Sequence, residues 1–371
     1  MKHFMHLIAS ITVLIILSGC LPTSVIDDVL IIEAEGVDYI GGTKVMGTIS
    51  MPNYVQNPNP GSSGAGLPTT ASMMRYLSGI TYDGKSLVDR FQENGQRAIR
   101  VGKLRVMLFD TDLAKHGLKK QIDLRNRDPE APRDMNFVIV EGSCKKLLTA
   151  IDYQTQIPIS RYIQDMIEQN NHQNYPESTL ETFLYAYYGA YMDPFLPMIR
   201  KSGDRLETVG LALFKKDKYI MKLPPKKVFI FKMLFQKFDQ GVYDFEFAPQ
   251  KHVALKNVHT NVRYTVKNGN STSPDIYAHV SINAQVRQAY PKSISKNTGP
   301  RMEKKIEKHM SREAKKLVQM LQKKQIDPLQ LGQHVRSFTR GFDGKSWPDR
   351  YPNARFHCTV ETNIIQTGIS D

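Results

Sequence analysis

Cysteine is scarce: the 371 residues hold three, at positions 20, 144 and 358. No paired spacing exists from which a disulfide framework or a cysteine-based zinc knuckle could be built. Cys144 and Cys358 therefore read as two unrelated buried thiols, and no metal or other cofactor is expected. Tryptophan occurs once, at Trp347, and the ten histidines are scattered without pairing. There is no HExxH and no GxSxG, which removes the metalloprotease and α/β-hydrolase chemistries. Ser293 to Lys296 spells S-x-x-K, but the SDN and KTG elements that would complete a serine acyl-transfer site are missing. Gly61, Gly64 and Gly66 imitate a phosphate loop without its lysine. The chain reads as no enzyme. Long apolar runs are lacking too, and a span of roughly 30 Å of hydrocarbon needs about 20 apolar residues.

The longest apolar run is Leu7 to Leu17, behind a short polar start containing Lys2, His3 and His6. Eleven residues suit the h-region of a secretory signal. The run ends in Leu17-Ser18-Gly19-Cys20, an aliphatic residue, two small ones and a cysteine, followed by the polar, Pro-containing Leu21-Pro22-Thr23-Ser24. That order is similar to a bacterial lipobox, with cleavage between Gly19 and Cys20 and diacylglycerol on the Cys20 thiol. Each buried lipid CH₂ contributes about 0.8 kcal/mol, so two or three acyl chains hold a domain at a bilayer essentially permanently. The expected state is membrane-anchored, extracytoplasmic and non-spanning, with residues 1–19 as a lipoprotein signal peptide.

Charge is unevenly placed. Residues 1–200 hold 19 Lys/Arg against 21 Asp/Glu, whereas residues 201–371 hold 31 against 15, so the second half carries the whole excess of the net +14. Such asymmetry points to a polyanionic neighbour. Outside a membrane, anionic headgroups or an acidic partner protein fit it better than nucleic acid.

Apolar periodicity predicts an α+β, multi-domain chain with mixed and antiparallel sheets packed against helices. Val29–Ile40 and Thr43–Met51 form a hairpin around Gly41-Gly42, and residues 52–68, rich in Pro, Asn, Gly and Ser, form an exposed loop. Strands follow near 70–82, 103–109 and 135–140, and helices over the Ile159/Ile163/Met166/Ile167 and Leu180/Phe183/Leu184/Tyr187 stripes. The polar stretch 203–208 suggests a boundary, with a protease-sensitive joint between about Met198 and Thr208, separating an N-terminal α+β region, 20–204, from a basic C-terminal α+β domain, 205–371. Within the latter, Ile276 to Val286 alternates strictly, as a half-buried antiparallel strand should, and the strand near 356–364 turns Cys358 to the core. Between these strands runs an amphipathic helix with Met302, Ile306, Met310, Leu317 and Leu321 on its apolar stripe. Lys304, Lys305, Lys308, Lys315 and Lys316 lie off that stripe and are the candidate membrane or partner contacts.

Several segments, taken in order, resemble the GerAC-like (Ger(x)C) lipoproteins, the C subunits of spore germinant receptors. They are the lipobox, Glu35-Gly36-Val37-Asp38, Leu113-Ala114-Lys115-His116-Gly117, Asn126-Arg127-Asp128-Pro129-Glu130, Gly210 to Lys218, and Asp327-Pro328-Leu329-Gln330-Leu331-Gly332 followed by Trp347. Where that family commonly places Trp-Asp after the lipid cysteine, this chain has Leu21-Pro22. The resemblance implies three α+β domains and a non-enzymatic subunit anchored on the outer face of the spore inner membrane. It also implies assembly with polytopic A-type and B-type receptor subunits into a nutrient sensor. The competing reading from the residues is the solute-binding lipoprotein of an importer, which would show two doubly wound lobes of parallel strands.

Overall fold

The structure, a computed structural model, describes residues 29–53, 74–82, 84–93, 97–153, 157–249, 251–290 and 299–367. Gly19 and Cys20, most of the 52–68 loop, and Ser293 to Lys296 lie outside the described residues.

Two sheets organise the chain. The larger has eight strands, and its middle is parallel: β2 (Ala34–Gly41), β6 (Val106–Asp110), β7 (Asn136–Val140) and β8 (Phe195–Ser202) lie side by side. β3 (Lys44–Pro52) and β4 (Met74–Thr81) extend it antiparallel beyond β2, and β9 (Arg205–Lys215) and β10 (Lys218–Leu223) do so beyond β8. The short strands β1 (Val29–Ile31) and β5 (Ala98–Arg100) pair with each other alone.

Both faces of the parallel core are covered, which is why Val106-Met107-Leu108-Phe109 and Phe137-Val138-Ile139-Val140 are apolar without a break. Met107, Phe109, Phe137 and Ile139 point to one side, under α1 (Gly84–Glu93), α2 (Thr111–His116), α3 (Lys119–Arg127) and α6 (Leu180–Tyr188). Val106, Leu108, Val138 and Val140 point to the other, under α4 (Cys144–Leu148) and α5 (Ile159–His172).

The smaller sheet runs β11 (Val242–Ala248), β12 (Lys251–Lys267), β13 (Asp275–Tyr290), β14 (Arg355–Thr367). Alternation in β13 is as expected: Ile276, Ala278, Val280, Ile282, Ala284 and Val286 are buried, while His279, Ser281 and Asn283 face solvent. The inner face is covered by α7 (Pro225–Phe235) and α8 (Gly299–Lys323), with α9 (Leu331–Phe338) and α10 (Trp347–Arg350) at one end. β14 joins parallel to β13, because α8 carries the chain back along the sheet before it re-enters. That leaves β14 at the edge, and two carboxylates of α8 meet its outward N–H groups: Thr362 N donates to Glu307 Oε1 at 3.0 Å and Ile364 N to Glu303 Oε1 at 2.9 Å.

The polar stretch at 203–208 is a hairpin, not an open joint. Ser202 pairs with Arg205 and Met198 with Gly210, so the ladder of the large sheet crosses residue 204. The strand beginning there is the return arm of β8, and polarity marks the turn of that hairpin. The halves are also joined by packing, since Leu211 and Leu213 of β9 belong to the core built with α7 and α8, while Ala212 and Phe214 face the large sheet's helices. The importer alternative loses its structural basis, because the smaller sheet is largely antiparallel and no second doubly wound lobe is among the described residues.

Candidate functional site

Three of the segments singled out in the sequence, Leu113 to Gly117, Gly210 to Lys218 and Asp327 to Gly332, are linked at or through the β9–β10 turn, Lys215 to Lys218. Lys215 Nζ reaches Asp193 Oδ2 at 3.0 Å, and Lys216 N donates to Asp193 Oδ1 at 3.0 Å. Lys216 Nζ donates to the carbonyls of Tyr187 (3.3 Å) and Gly189 (2.5 Å), fixing the end of α6. On the other side, Leu118 N donates to Asp217 O and Lys119 N to Asp217 Oδ2, both within 3.1 Å. Gly117 has φ of 114°, and a Cβ there would lie 2.5 Å from Asp217 Oδ2, so the Leu113 to Gly117 segment ends in glycine for two reasons at once.

Asp193 then ties the turn to the second half. Asp193 N donates to Asp327 O at 3.0 Å, and Asp327 N donates to Asp193 Oδ2 at 2.9 Å. The Asp327 carboxylate accepts from Leu331 N (2.9 Å) and Gly332 N (2.7 Å), satisfying the open N–H groups of the first turn of α9. Gly332 lies under Trp347: a Cβ would stand 2.4 Å from the indole Nε1 and 2.8 Å from the Tyr191 Cβ. Tyr191, Phe342, Trp347 and Tyr351 continue as a chain of ring contacts 5.1 to 5.9 Å apart, with the Arg350 guanidinium over Phe342 and Trp347. The Asp193 and Asp327 carboxylates and the Lys215 and Lys216 ammonium groups all find partners within the protein, so the junction ties the two sheets together.

Burial pushes the Asp327 carboxyl up to about 7. The N–H groups of Gly332 and Leu331 act the other way, the Asp193 charge adds to the rise, and Lys215 offsets part of it. A folded-state value above the unfolded one means that the folded chain holds the extra proton. Stability from this group is therefore full below about pH 4 and declines as pH rises through about 7. The variant Asp327→Asn should show a flatter dependence of unfolding free energy on pH across that window than the parent chain. Parallel curves for the two proteins would show that Asp327 titrates normally.

At the carboxyl ends of the parallel strands, Asp38 and Asp110 line an open crevice of about 370 Å³ with Ile40, Met46, Asp112 and Lys145. Asp38 accepts from Cys144 N, Lys145 N and Ser143 Oγ at 2.6 to 3.1 Å, and Asp110 from Leu113 N at 2.8 Å. Both carboxylates thus cap helices, α4 and α2, and burial lifts Asp110 to about 6. The Cys144 thiol is held beside Val37 O, and burial and the Asp38 charge push its pKa well above the ordinary value. Among the described residues, no group of three His, Cys, Asp or Glu side chains is placed to hold a metal ion.

The lysines of α8 are not all on one face. Lys304, Lys308, Lys315 and Lys316 are exposed, Lys305 is half-buried, and Lys316 is paired with Glu313 at 2.9 Å. Arg301 and Arg312, outside the expected set, are exposed on the same side as Lys304, Lys308 and Lys315. Their spacing of three and four residues was available in the sequence as the complement of the apolar stripe. No helix among the described residues is long and apolar enough to cross a membrane.

A mixed eight-stranded sheet joined by a hydrogen-bonded hub to a smaller, helix-covered sheet defines a two-part α+β protein. The N-terminal domain of spore germination proteins (GerAC, N-terminal) matches residues 23–201, and the C-terminal domain (spore germination B3/GerAC-like) matches residues 209–368. The chain belongs to the GerAC-like spore germination protein family. The two matches meet at the β8–β9 turn, even though the large sheet runs through it. The chain is 28% identical to the spore germination protein GerQC of Bacillus cereus, over 96% of this chain and 97% of that one. It is 20% identical to the putative spore germination protein YfkR of Bacillus subtilis (strain 168), over 99% and 98%. In fold it is similar to the crystal structure of the GerBC protein, with a TM-score of 0.54 at 14% identity, covering 86% of this chain and 94% of that one.

Proposed function

We propose that the chain is the lipid-anchored C-type subunit of a spore germinant receptor, joined to A-type and B-type polytopic subunits and carrying no catalytic activity of its own. The observation that carries this reading is the match of both halves, in order, to the two domains of one germination family. The lipobox-like Leu17 to Cys20 supports anchoring on the outer face of the spore inner membrane. The paired carboxylates of Asp193 and Asp327 at the junction support a scaffold that keeps its two sheets in fixed orientation. A nutrient signal passing through such a subunit would move it as one body.

Replacing Cys20 by Ala should give a folded protein that leaves the membrane fraction, together with a loss of nutrient-triggered germination. Fractionation after a high-salt wash, without partner subunits, measures the first effect, and the optical response of spores to nutrients measures the second. Retention of the variant in the washed membrane would overturn the anchoring reading. Full germination without the gene would overturn the receptor role.

A further inference from the structure

The three acidic side chains of α8 are all drawn to its flanks. Glu303 and Glu307 are bound to the backbone of β14, and Glu313 is shared between Lys316 and Arg312. At 100° per residue, Arg301, Lys304, Lys308, Arg312 and Lys315 fall within a sector of about 80°, in a straight row about 21 Å long. That sector lies opposite Met302, Ile306, Met310, Leu317 and Leu321, which are buried on the sheet. Among the described residues, Arg301, Lys304, Lys308 and Lys315 make no ion pair, and no acidic side chain of α8 stands among them. The cations are held on one side of the helix, while two of its three carboxylates, Glu303 and Glu307, are committed to closing a sheet edge, and the third, Glu313, pairs with Arg312 at the margin of the row and with Lys316 beside it.

We propose that this face of α8 docks on an anionic phospholipid surface, laying the helix along the bilayer and setting the orientation of the protein there. The proposal deepens the reading that the chain is held at a membrane, and rests on it for its place in the cell. A straight row of cations on a convex helix suits a flat field of headgroups, since the phosphates can move laterally to meet each charge. Attraction extends over one Debye length, about 8 Å at physiological salt, so the row acts only when the helix lies against the surface. Each basic residue near such a surface contributes roughly a fivefold increase in partition.

The test uses the mature chain carrying Cys20→Ala, which keeps every described residue. Binding is measured by sedimentation with phosphatidylcholine vesicles and with mixed phosphatidylcholine and phosphatidylglycerol vesicles. One variant carries K304E, K308E and K315E, and a second carries the same charge change dispersed over exposed sites, K44E, K103E and K226E, with circular dichroism confirming both folds. The expected result is binding to the mixed vesicles only, weakened at least tenfold by the α8 reversal and far less by the dispersed one. Equal losses in the two variants, or no selective binding by the parent chain, would overturn the proposal. So would unchanged vesicle binding together with lost capture of the polytopic subunits, which would assign the face to an acidic protein surface. Failure of the anchored-subunit reading shows separately, as the absence of lipid on Cys20 by mass spectrometry of the native protein.

Discussion

Arg125→Met lowers the stability of the chain by about 3–5 kcal/mol, and adding Glu35→Leu restores most of the loss. Glu35 on β2 and Arg125 on α3 are both buried and form an ion pair. Arg125 is further tied to Asp128 at 3.4 Å. Removing the guanidinium strands a carboxylate in the core between the large sheet and its helices, where it is shielded from bulk solvent. Even in the intact protein, Glu35 Oε1 and Arg125 Nε find no hydrogen-bond partner among the described residues, so little is left to absorb the loss. Replacing both partners removes the desolvation cost along with the attraction, and for that reason the double variant recovers. Urea unfolding of the two single variants and the double variant measures the cycle. A cost below about 1 kcal/mol for Arg125→Met would mean that the pair is solvated.

Trp347→Ala should cost about 3–5 kcal/mol, the range for emptying the volume of a large aromatic side chain in a core. The indole is 4% exposed and packs at a tilt between Phe342 and Tyr351, and it covers Gly332. Its loss opens a cavity against the Asp193–Asp327 joint. Trp347→Phe keeps part of the volume and the ring contacts and should cost about half as much or less. Because Trp347 is the only tryptophan in the chain, intrinsic fluorescence follows the junction in every other variant. Its unfolding curve should coincide with circular dichroism if the two sheets unfold together. An Ala variant as stable as the parent would show that the aromatic chain does not hold the joint.

Local pattern revealed more of the elements than of their connections. The strict alternation of β13 and the apolar stripe of α8 were legible because each element has one dry face and one wet face. β8 and α7 were harder to see, since Phe195 to Ile199 and Val228 to Leu234 are buried nearly all round and carry no periodicity to distinguish strand from helix. The polar stretch 203–208 falls where the two family matches meet, but a two-residue turn and a linker share the same polar composition, and only the pairing partner shows that the large sheet continues across it. Glu35, Asp38, Asp128, Asp217 and Asp327 were visible as parts of the family resemblance. The work of Glu35, Asp38, Asp217 and Asp327 was not, because it includes contacts between segments 90 to 134 residues apart, whereas Asp128 meets Arg125 and Glu130 close by in the chain. On α8 the cations could be counted in the sequence, but the commitment of Glu303 and Glu307 to β14 depends on where the last strand returns.

That commitment has a consequence for proteins crowded side by side. An open strand edge is a template on which another chain can add a strand, and confinement to a surface multiplies the encounters that would allow it. Two carboxylates one helical turn apart rise by about 6 Å, close to the roughly 6.7 Å between alternate residues of a strand. Glu303 and Glu307 therefore fit Thr362 and Ile364 as two teeth of one comb. β14 is stoppered at these two positions from within its own chain, so crowded copies can touch along this edge without adding a strand there.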